Sequence, residues 1–127
     1  MEYEITLKKT HINWGVYRHT DTRDKIPEEG YIPIPLNIAK EYNIFNSNSG
    51  NITNYQIYSE DEFLKGDIVI PSGSNEKGSI YAKQFQGKGN LKLIGKWYQQ
   101  LNASPGDKLH IKIEKNKIFV KLKKESF

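Results

Sequence analysis

The chain of 127 residues is long enough for one hydrophobic core but not for two, so we expect a single domain spanning residues 1–127. It has no cysteine, which excludes disulfides and thiolate metal sites and is typical of proteins from a reducing compartment. Its apolar runs are short and its N-terminus lacks a basic region followed by an apolar one, so we expect a cytoplasmic protein without a membrane span.

The net charge of +4 conceals a strong asymmetry along the chain. Residues 1–76 carry 7 Lys and Arg against 12 Asp and Glu, whereas residues 77–124 carry 12 against 2. A basic segment of this kind is typical of proteins that bind phosphate backbones, and it is also compatible with a lysine-rich face that is merely solvated.

The N-terminal part of the chain combines short extended segments with one long polar segment. Apolar residues at every second position predict a strand over residues 2–8. Residues 11–25 keep no apolar period, and a polar loop of this length is unusual in a compact domain unless it is functional. Prolines predict an extended segment at residues 31–35, and apolar residues at helical spacing predict a short helix at residues 36–43.

The C-terminal part contains a stretch with an unusual tip. After strands predicted at residues 55–58 and 67–70, residues 79–85 and 91–94 alternate and predict the two limbs of a hairpin. Its tip consists of Gly, Lys, Gln and Asn, which permit positive φ angles and offer long hydrogen-bond donors. A helix over residues 95–102 and strands around residues 109–113 and 118–122 complete the prediction.

The predicted elements are mainly strands: about seven, with two short helices and neither a βαβ rhythm nor an internal repeat. Antiparallel strands protect their edges by closing on themselves. We therefore expect a mainly β fold, a seven-stranded open pseudobarrel with two short helices.

The sequence contains no recognisable catalytic arrangement. The three histidines lack the spacing of a metal motif, and the acidic run at residues 60–62 lacks a lysine at the spacing of a nuclease motif. Phosphate-binding and nucleophile motifs are also missing from the sequence. We expect no catalytic residue, no metal and no cofactor, and we expect this chain alone to be non-catalytic.

The order of features along the chain is more specific than any single motif. After the first strand come a polar loop, an extended segment entering a helix, the predicted hairpin, and two short motifs that precede the last strands. The residues that define this order are Arg18, His19, Thr20 and Arg23, then residues 30–35, then residues 84–92, then Lys96, Trp97 and Tyr98, and finally Pro105, Gly106 and Asp107.

This order resembles the B-three-like DNA-binding pseudobarrel, in the version found at the N-terminus of EcoRII-type and the C-terminus of BfiI-type restriction endonucleases. The resemblance implies an open seven-stranded barrel that grips the major groove of double-stranded DNA with two loops, the N-arm and the C-arm. It implies that the chain is the recognition domain of a type II restriction endonuclease, with the nuclease in a domain or subunit elsewhere.

The resemblance also assigns residues to the two arms. The N-arm would contain Trp14, Tyr17, Arg18, His19, Thr20, Asp21, Thr22, Arg23, Asp24 and Lys25. The C-arm would contain Lys83, Gln84, Phe85, Gln86, Gly87, Lys88, Gly89, Asn90 and Lys92, with a backbone contact from Lys96. It places Trp97, Tyr98, Gly106 and Asp107 at structural positions, which agrees with their reading as core aromatics and a turn cap.

The chemistry of the arm residues predicts two kinds of contact. The residues with donors suited to base edges are Arg18, Arg23, Gln84, Gln86 and Asn90. The residues suited to phosphate contacts are Lys83, Lys88, Lys92 and Lys96. Asp21 and Asp24 could accept a hydrogen bond from cytosine or orient the arginines.

Two other functions remain open at this point. The chain could be an RNA or single-strand binder of the OB type, which would use exposed aromatic rings as stacking platforms. It could also be a protein-interaction domain whose basic face serves only solvation.

Overall fold

The computed structural model describes residues 1–12, 29–47, 53–73 and 79–125. The strands of these residues are β1 (Glu2–Thr6), β2 (Ile32–Pro33), β3 (Tyr55–Ser59), β4 (Lys65–Ser72), β5 (Gln84–Gly87), β6 (Lys108–Glu114) and β7 (Lys117–Lys123). The helices are α1 (Lys9–Ile12), α2 (Leu36–Glu41) and α3 (Leu93–Gln100). Within these ranges no helix has the length and apolar character needed to cross a membrane.

The seven strands form one sheet in the order β1-β6-β7-β3-β4-β5-β2. Neighbouring strands are antiparallel except for β3 and β7, which run parallel. The sheet curls until its edge strands β1 and β2 face each other, which leaves an almost closed barrel with one open seam. The predicted mainly β, seven-stranded open pseudobarrel is therefore confirmed, with α1 as a third short helix that the sequence did not predict.

Apolar and polar residues alternate along the strands because one face of each strand points into the core of the barrel and the other points to solvent. In β6 and β7, Leu109, Ile111, Ile118 and Val120 are buried, and the residues between them point outward. The strands turn back at Lys115, whose φ is +55°. The buried side chains from all seven strands and from α2 and α3 form a continuous core.

The second limb predicted for the hairpin, residues 91–94, is wrong because this part of the chain begins α3 instead. Ile94, Trp97 and Tyr98 are fully buried, and their i, i+3, i+4 spacing lies on one face of a helix. A helix that begins at Leu93 puts Ile94 on the same buried face as Trp97 and Tyr98, for which the sequence already predicts a helix. Burying Ile94 with the two aromatic rings therefore favours the helix over the local alternation of Leu and Lys.

The seam between β1 and β2 is held by tyrosines and not by a strand ladder. The hydroxyl of Tyr3 donates to the carbonyl of Pro33 at 3.1 Å, and the backbone N–H of Tyr31 donates to the carbonyl of His11 at 3.1 Å. From α3, the hydroxyl of Tyr98 donates to the carbonyl of Tyr31 at 2.9 Å. These contacts tie β1, β2 and α3 together where the sheet ends.

Asp107 fastens the turn before β6 to the end of the chain. Its buried carboxylate accepts the backbone N–H groups of Ser104 at 2.8 Å and of Glu125 at 2.9 Å, and Lys124 Nζ lies 3.3 Å away. Burial opposes ionisation of this carboxyl, but these hydrogen bonds outweigh burial and lower its pKa. Gly106 has a φ of +100°, and the Glu125 side chain occupies the place of a Cβ atom. The expected structural roles of Gly106 and Asp107 agree with this geometry.

Replacing Tyr98 by Phe should lower the free energy of unfolding by about 1–3 kcal/mol, because it removes a buried donor from the Tyr31 carbonyl. Urea denaturation of the two proteins measures this difference. The matched control is Tyr58→Phe, since the exposed Tyr58 hydroxyl lies 3.5 Å from its acceptor on Gln56. A loss in the control as large as that in Tyr98→Phe would contradict the role given to the seam.

Replacing Asp107 by Asn should lower the free energy of unfolding by about 1–3 kcal/mol at pH 7, because the hydrogen bonds to the ionised carboxylate are weakened. Since folding lowers the pKa of Asp107, its contribution is complete above the ordinary aspartate pKa of about 3.9 and is lost as the pH falls further. Unfolding curves of both proteins between pH 7 and pH 2 should therefore converge in acid. A difference that does not change with pH would show that the carboxylate charge plays no part.

Candidate nucleic-acid interface

The segments that flank the predicted N-arm lie side by side at Ile12 and residues 29–31, which we call the N-arm root, whereas the arm residues 14–25 fall outside the described residues. The hydrogen bond from the Tyr31 N–H to the His11 carbonyl joins the segments that flank the arm. A Cβ atom on Gly30 would lie only 3.0 Å from the Ile12 carbonyl, so the backbones are in close contact there. The contacts predicted for the N-arm side chains remain predictions.

The C-arm segment, residues 83–92, consists of β5 and a tight turn that leads into α3. Gly87 ends β5 where the Asn90 carbonyl occupies the place of a Cβ atom, so only glycine fits without a shift of the turn. Gly89 has a φ of +68°, as the predicted use of glycine at this tip requires. Asn90 Oδ1 accepts the backbone N–H of Lys92 at 3.3 Å, so the Asn90 side chain also helps to shape the turn.

The alternation of β5 divides its residues between the core and the surface. Phe85 is fully buried and packs edge to face against Tyr55, with ring centroids 5.3 Å apart, and Gly87 is also buried. Gln84 and Gln86 are half-buried on the opposite face, with Nε2 of the first 3.5 Å from Oε1 of the second. Phe85 and Gly87 therefore face the core, and the two glutamines lie on the outer surface of β5.

The lysines assigned to phosphate contacts carry no carboxylate partner among the described residues. Lys83, Lys88 and Lys96 are exposed, Lys92 is half-buried, and Lys88 Nζ lies 3.3 Å from an amide oxygen of Asn54. By contrast, four lysines of β6 and β7 lie 3.0–3.9 Å from carboxylates: Lys108 and Lys123 from Glu4, Lys112 from Glu114, and Lys121 from Glu60. The carboxylates thus offset much of the positive charge of β6 and β7 but not that of the C-arm.

The pairing of β2 with β5 shows which C-arm lysines lie at which end of β5. Ile32 pairs with Phe85, and continuing this antiparallel register brings Gly30 opposite Gly87. The root of the N-arm and the turn at residues 88–92 therefore lie at the same end of the sheet. Lys83 lies at the other end of β5, where its carbonyl accepts the N–H of Ile34 at 2.8 Å.

Lys83 instead approaches His11, across the seam. The Nδ1 atom of His11 accepts the backbone N–H of Lys8 at 3.1 Å, and its ring meets Tyr31 edge to face with centroids 5.5 Å apart. Burial, together with the smaller effects of the charges of Lys8 and Lys83, lowers the pKa of His11 to about 4. Sequence reasoning gave Lys8 and His11 no role, because only the curvature of the sheet brings them to Lys83.

The acidic run at residues 60–62 serves the fold. Asp61 Oδ1 accepts the indole N–H of Trp97 at 3.0 Å, and Glu60 pairs with Lys121. Partial burial disfavours the ionised form of Asp61, but hydrogen bonds from Ser59, Trp97 and the backbone outweigh this effect and lower its pKa. Within the described part of the chain, no group of three or more His, Asp or Glu side chains could hold a metal ion.

Comparison of the chain with protein-family models gives no match, and comparison with curated proteins gives no significant match. The functional interpretation therefore depends on the barrel, the placement of the two arm segments and the distribution of charge.

Proposed function

We propose that this chain is a sequence-specific double-stranded DNA-binding domain that reads the major groove with its N-arm and C-arm. The observation that carries the proposal is a set of four lysines, three of the C-arm and Lys96, without carboxylate partners in the described structure, beside β6 and β7, where four lysines lie within 4 Å of carboxylates. Unpaired cations can each displace a condensed counter-ion from a DNA phosphate, whereas paired lysines must first lose their carboxylate.

The position of the two arm segments supports a duplex as the target. The N-arm root and the C-arm turn lie at one end of the sheet, so both segments can approach the same stretch of DNA. A major groove about 12 Å wide admits the end of a β-ribbon. The outward amides of Gln84 and Gln86 offer the donor and acceptor pair that suits adenine.

The resemblance to restriction endonucleases completes the proposal. In this reading the chain is the recognition domain of a type II enzyme of restriction-modification, located in the cytoplasm, and the nuclease is a domain or subunit elsewhere. The carboxylates of Glu60 and Asp61 have structural partners, which is consistent with recognition and not cleavage as the task of this chain.

One observation favours single-strand binding as a second candidate. The rings of Tyr58 and Phe119 stack with centroids 5.6 Å apart and an interplanar angle of 20°, and Phe119 is 39% exposed on the outside of the barrel. Such a pair could accept an unpaired base. Titrating a duplex against the same strand unpaired separates the candidates, because Phe119→Leu should weaken only the binding of the single strand.

Salt dependence should identify the lysines that contact phosphates. Lys88→Gln and Lys92→Gln should each lower the slope of log K against log salt by about one, because each removes one phosphate contact. Fluorescence anisotropy with a labelled duplex measures this slope between 50 and 200 mM salt. Over this range the affinity of a protein that makes about 6–10 phosphate contacts changes strongly.

The matched control is Lys121→Gln, which removes the same charge from a lysine already paired with Glu60 at 3.2 Å. Its slope should equal that of the parent protein. Equal effects in all three variants would show that binding responds only to net charge, and a parent slope near zero would overturn the electrostatic argument.

Substitution of a base-reading residue should change sequence preference as well as affinity. Gln84→Ala, Gln86→Ala, Arg18→Ala and Arg23→Ala should each cost about 1–3 kcal/mol on the preferred site and relax the preference at one base position. A randomised-duplex selection defines the preferred site, and single-position variants of it measure the loss. Gln100→Ala, on the exposed face of α3, is the control. If a substitution weakens binding equally on every duplex, the residue contacts the DNA backbone and does not read a base.

A further inference from the structure

The open seam of the barrel forms a surface groove of about 380 Å³ between β1 and β2, which we call the seam groove. Its walls include the apolar side chains of Ile5, Pro33 and Pro35. Its polar lining includes Lys8, His11 and Lys83, and no carboxylate of the described residues lines it. Two other surface pockets both contain Glu60, so a lining without carboxylates distinguishes the seam groove from them.

The cations of the seam groove are held together without a counter-ion. Lys8 and Lys83 are exposed and have no ion pair with any described residue; Lys8 follows β1 and Lys83 precedes β5, on opposite sides of the seam. Their charges act together on His11, whose pKa they lower further after burial. Like charges brought together in this way create a positive potential that an anion would relieve.

His11 adds a hydrogen-bond donor to this potential. Because its Nδ1 atom accepts the N–H of Lys8, the proton of the neutral ring is on Nε2. The lowered pKa keeps the ring neutral at pH 7, and a neutral imidazole can still donate from Nε2. No hydrogen bond joins Nε2 to a described residue. The groove thus combines two ammonium groups and one ring N–H, all of them donors.

We propose that the seam groove is a phosphate-binding site, in which Lys8 and Lys83 supply charge and His11 donates a hydrogen bond to one phosphate group. A phosphate oxyanion has only acceptors, and it therefore complements a lining of donors without carboxylates. The phosphate could be a backbone phosphodiester of bound DNA or a free phosphate ion, since both present the same oxygens.

A DNA phosphate in this groove would extend the proposed interface, and this part of the inference rests on the proposed function. His11 immediately precedes the N-arm root, and Lys83 begins the C-arm segment. The seam groove therefore lies between the segments that flank the N-arm and the start of the C-arm segment. A strand that both arms hold would pass it, which explains why Lys83 stands apart from the lysines of the turn.

The first experiment uses inorganic phosphate and the complete chain. NMR titration at pH 7, against chloride at the same ionic strength, should give saturable shifts at the His11 ring and at the backbone of Lys8 and Lys83. Lys8→Gln, Lys83→Gln and His11→Phe should each weaken phosphate binding about tenfold, as expected for a lost hydrogen bond to a charged group. His11→Gln should restore much of the affinity because it keeps a donor, and Lys121→Gln should have no effect.

The second experiment repeats the variants with a duplex. Lys8→Gln and Lys83→Gln should each lower the slope of log K against log salt by about one. Duplex binding that is indifferent to Lys8 and His11, together with phosphate shifts no larger than those in chloride, would overturn the inference and leave the proposed function standing. Saturable phosphate binding without duplex binding would support the site and overturn the proposed function. Unchanged amide spectra outside the groove verify that each variant is folded.

Discussion

The barrel depends on three hydrogen bonds at its seam that replace a missing strand ladder. β2 is only two residues long, so it cannot pair along the length of β1. The hydroxyls of Tyr3 and Tyr98 instead bond to the carbonyls of Pro33 and Tyr31, and the Tyr31 N–H bonds back across the seam. A tyrosine hydroxyl spans a wider gap than a backbone group, which keeps the edge strands apart. The seam is therefore closed enough to protect the core and open enough to form a groove.

Alternation of apolar and polar residues predicted the strands correctly in most of the chain. The same rule failed at residues 91–94, whose pattern fits both a strand and a helix. Leu109 and Ile111 can be buried together only in a strand, so β6 was predictable from the sequence. Residues 91–94 alternate as in a strand, but Ile94 is buried on the same face as Trp97 and Tyr98, which requires a helix. The C-arm glycines were recognised, since a positive φ at Gly89 is a local property. The meeting of Lys8, His11 and Lys83 could not be predicted, because it depends on the curvature of the whole sheet.

Ion pairing divides the lysines of this chain into those with a nearby carboxylate and those without one. Their position in the sequence does not show this division. Composition alone shows a basic C-terminal part, yet carboxylates from β1 and from the turn after β3 offset several of those lysines. Glu4, near the start of the chain, lies within 4 Å of both Lys108 and Lys123. The acidic N-terminal part and the basic C-terminal part therefore partly neutralise each other in the folded sheet. Among the described residues, the lysines of the C-arm and of the seam remain without a carboxylate partner, as do Lys65 and Lys117.

The pairing of β1 with β6 also has a consequence for the synthesis of the protein. Glu2 and Thr6 pair with Lys112 and Lys108, so the first strand of this barrel to be synthesised must wait for one of the last strands of the same barrel. Contacts so distant in sequence slow folding, because a long loop must close before any of them forms. Until β6 emerges, one side of β1 has no partner strand, and its apolar residues have no barrel to enter. The order of strands in the sheet thus delays closure of this barrel until β6 and β7 have been synthesised.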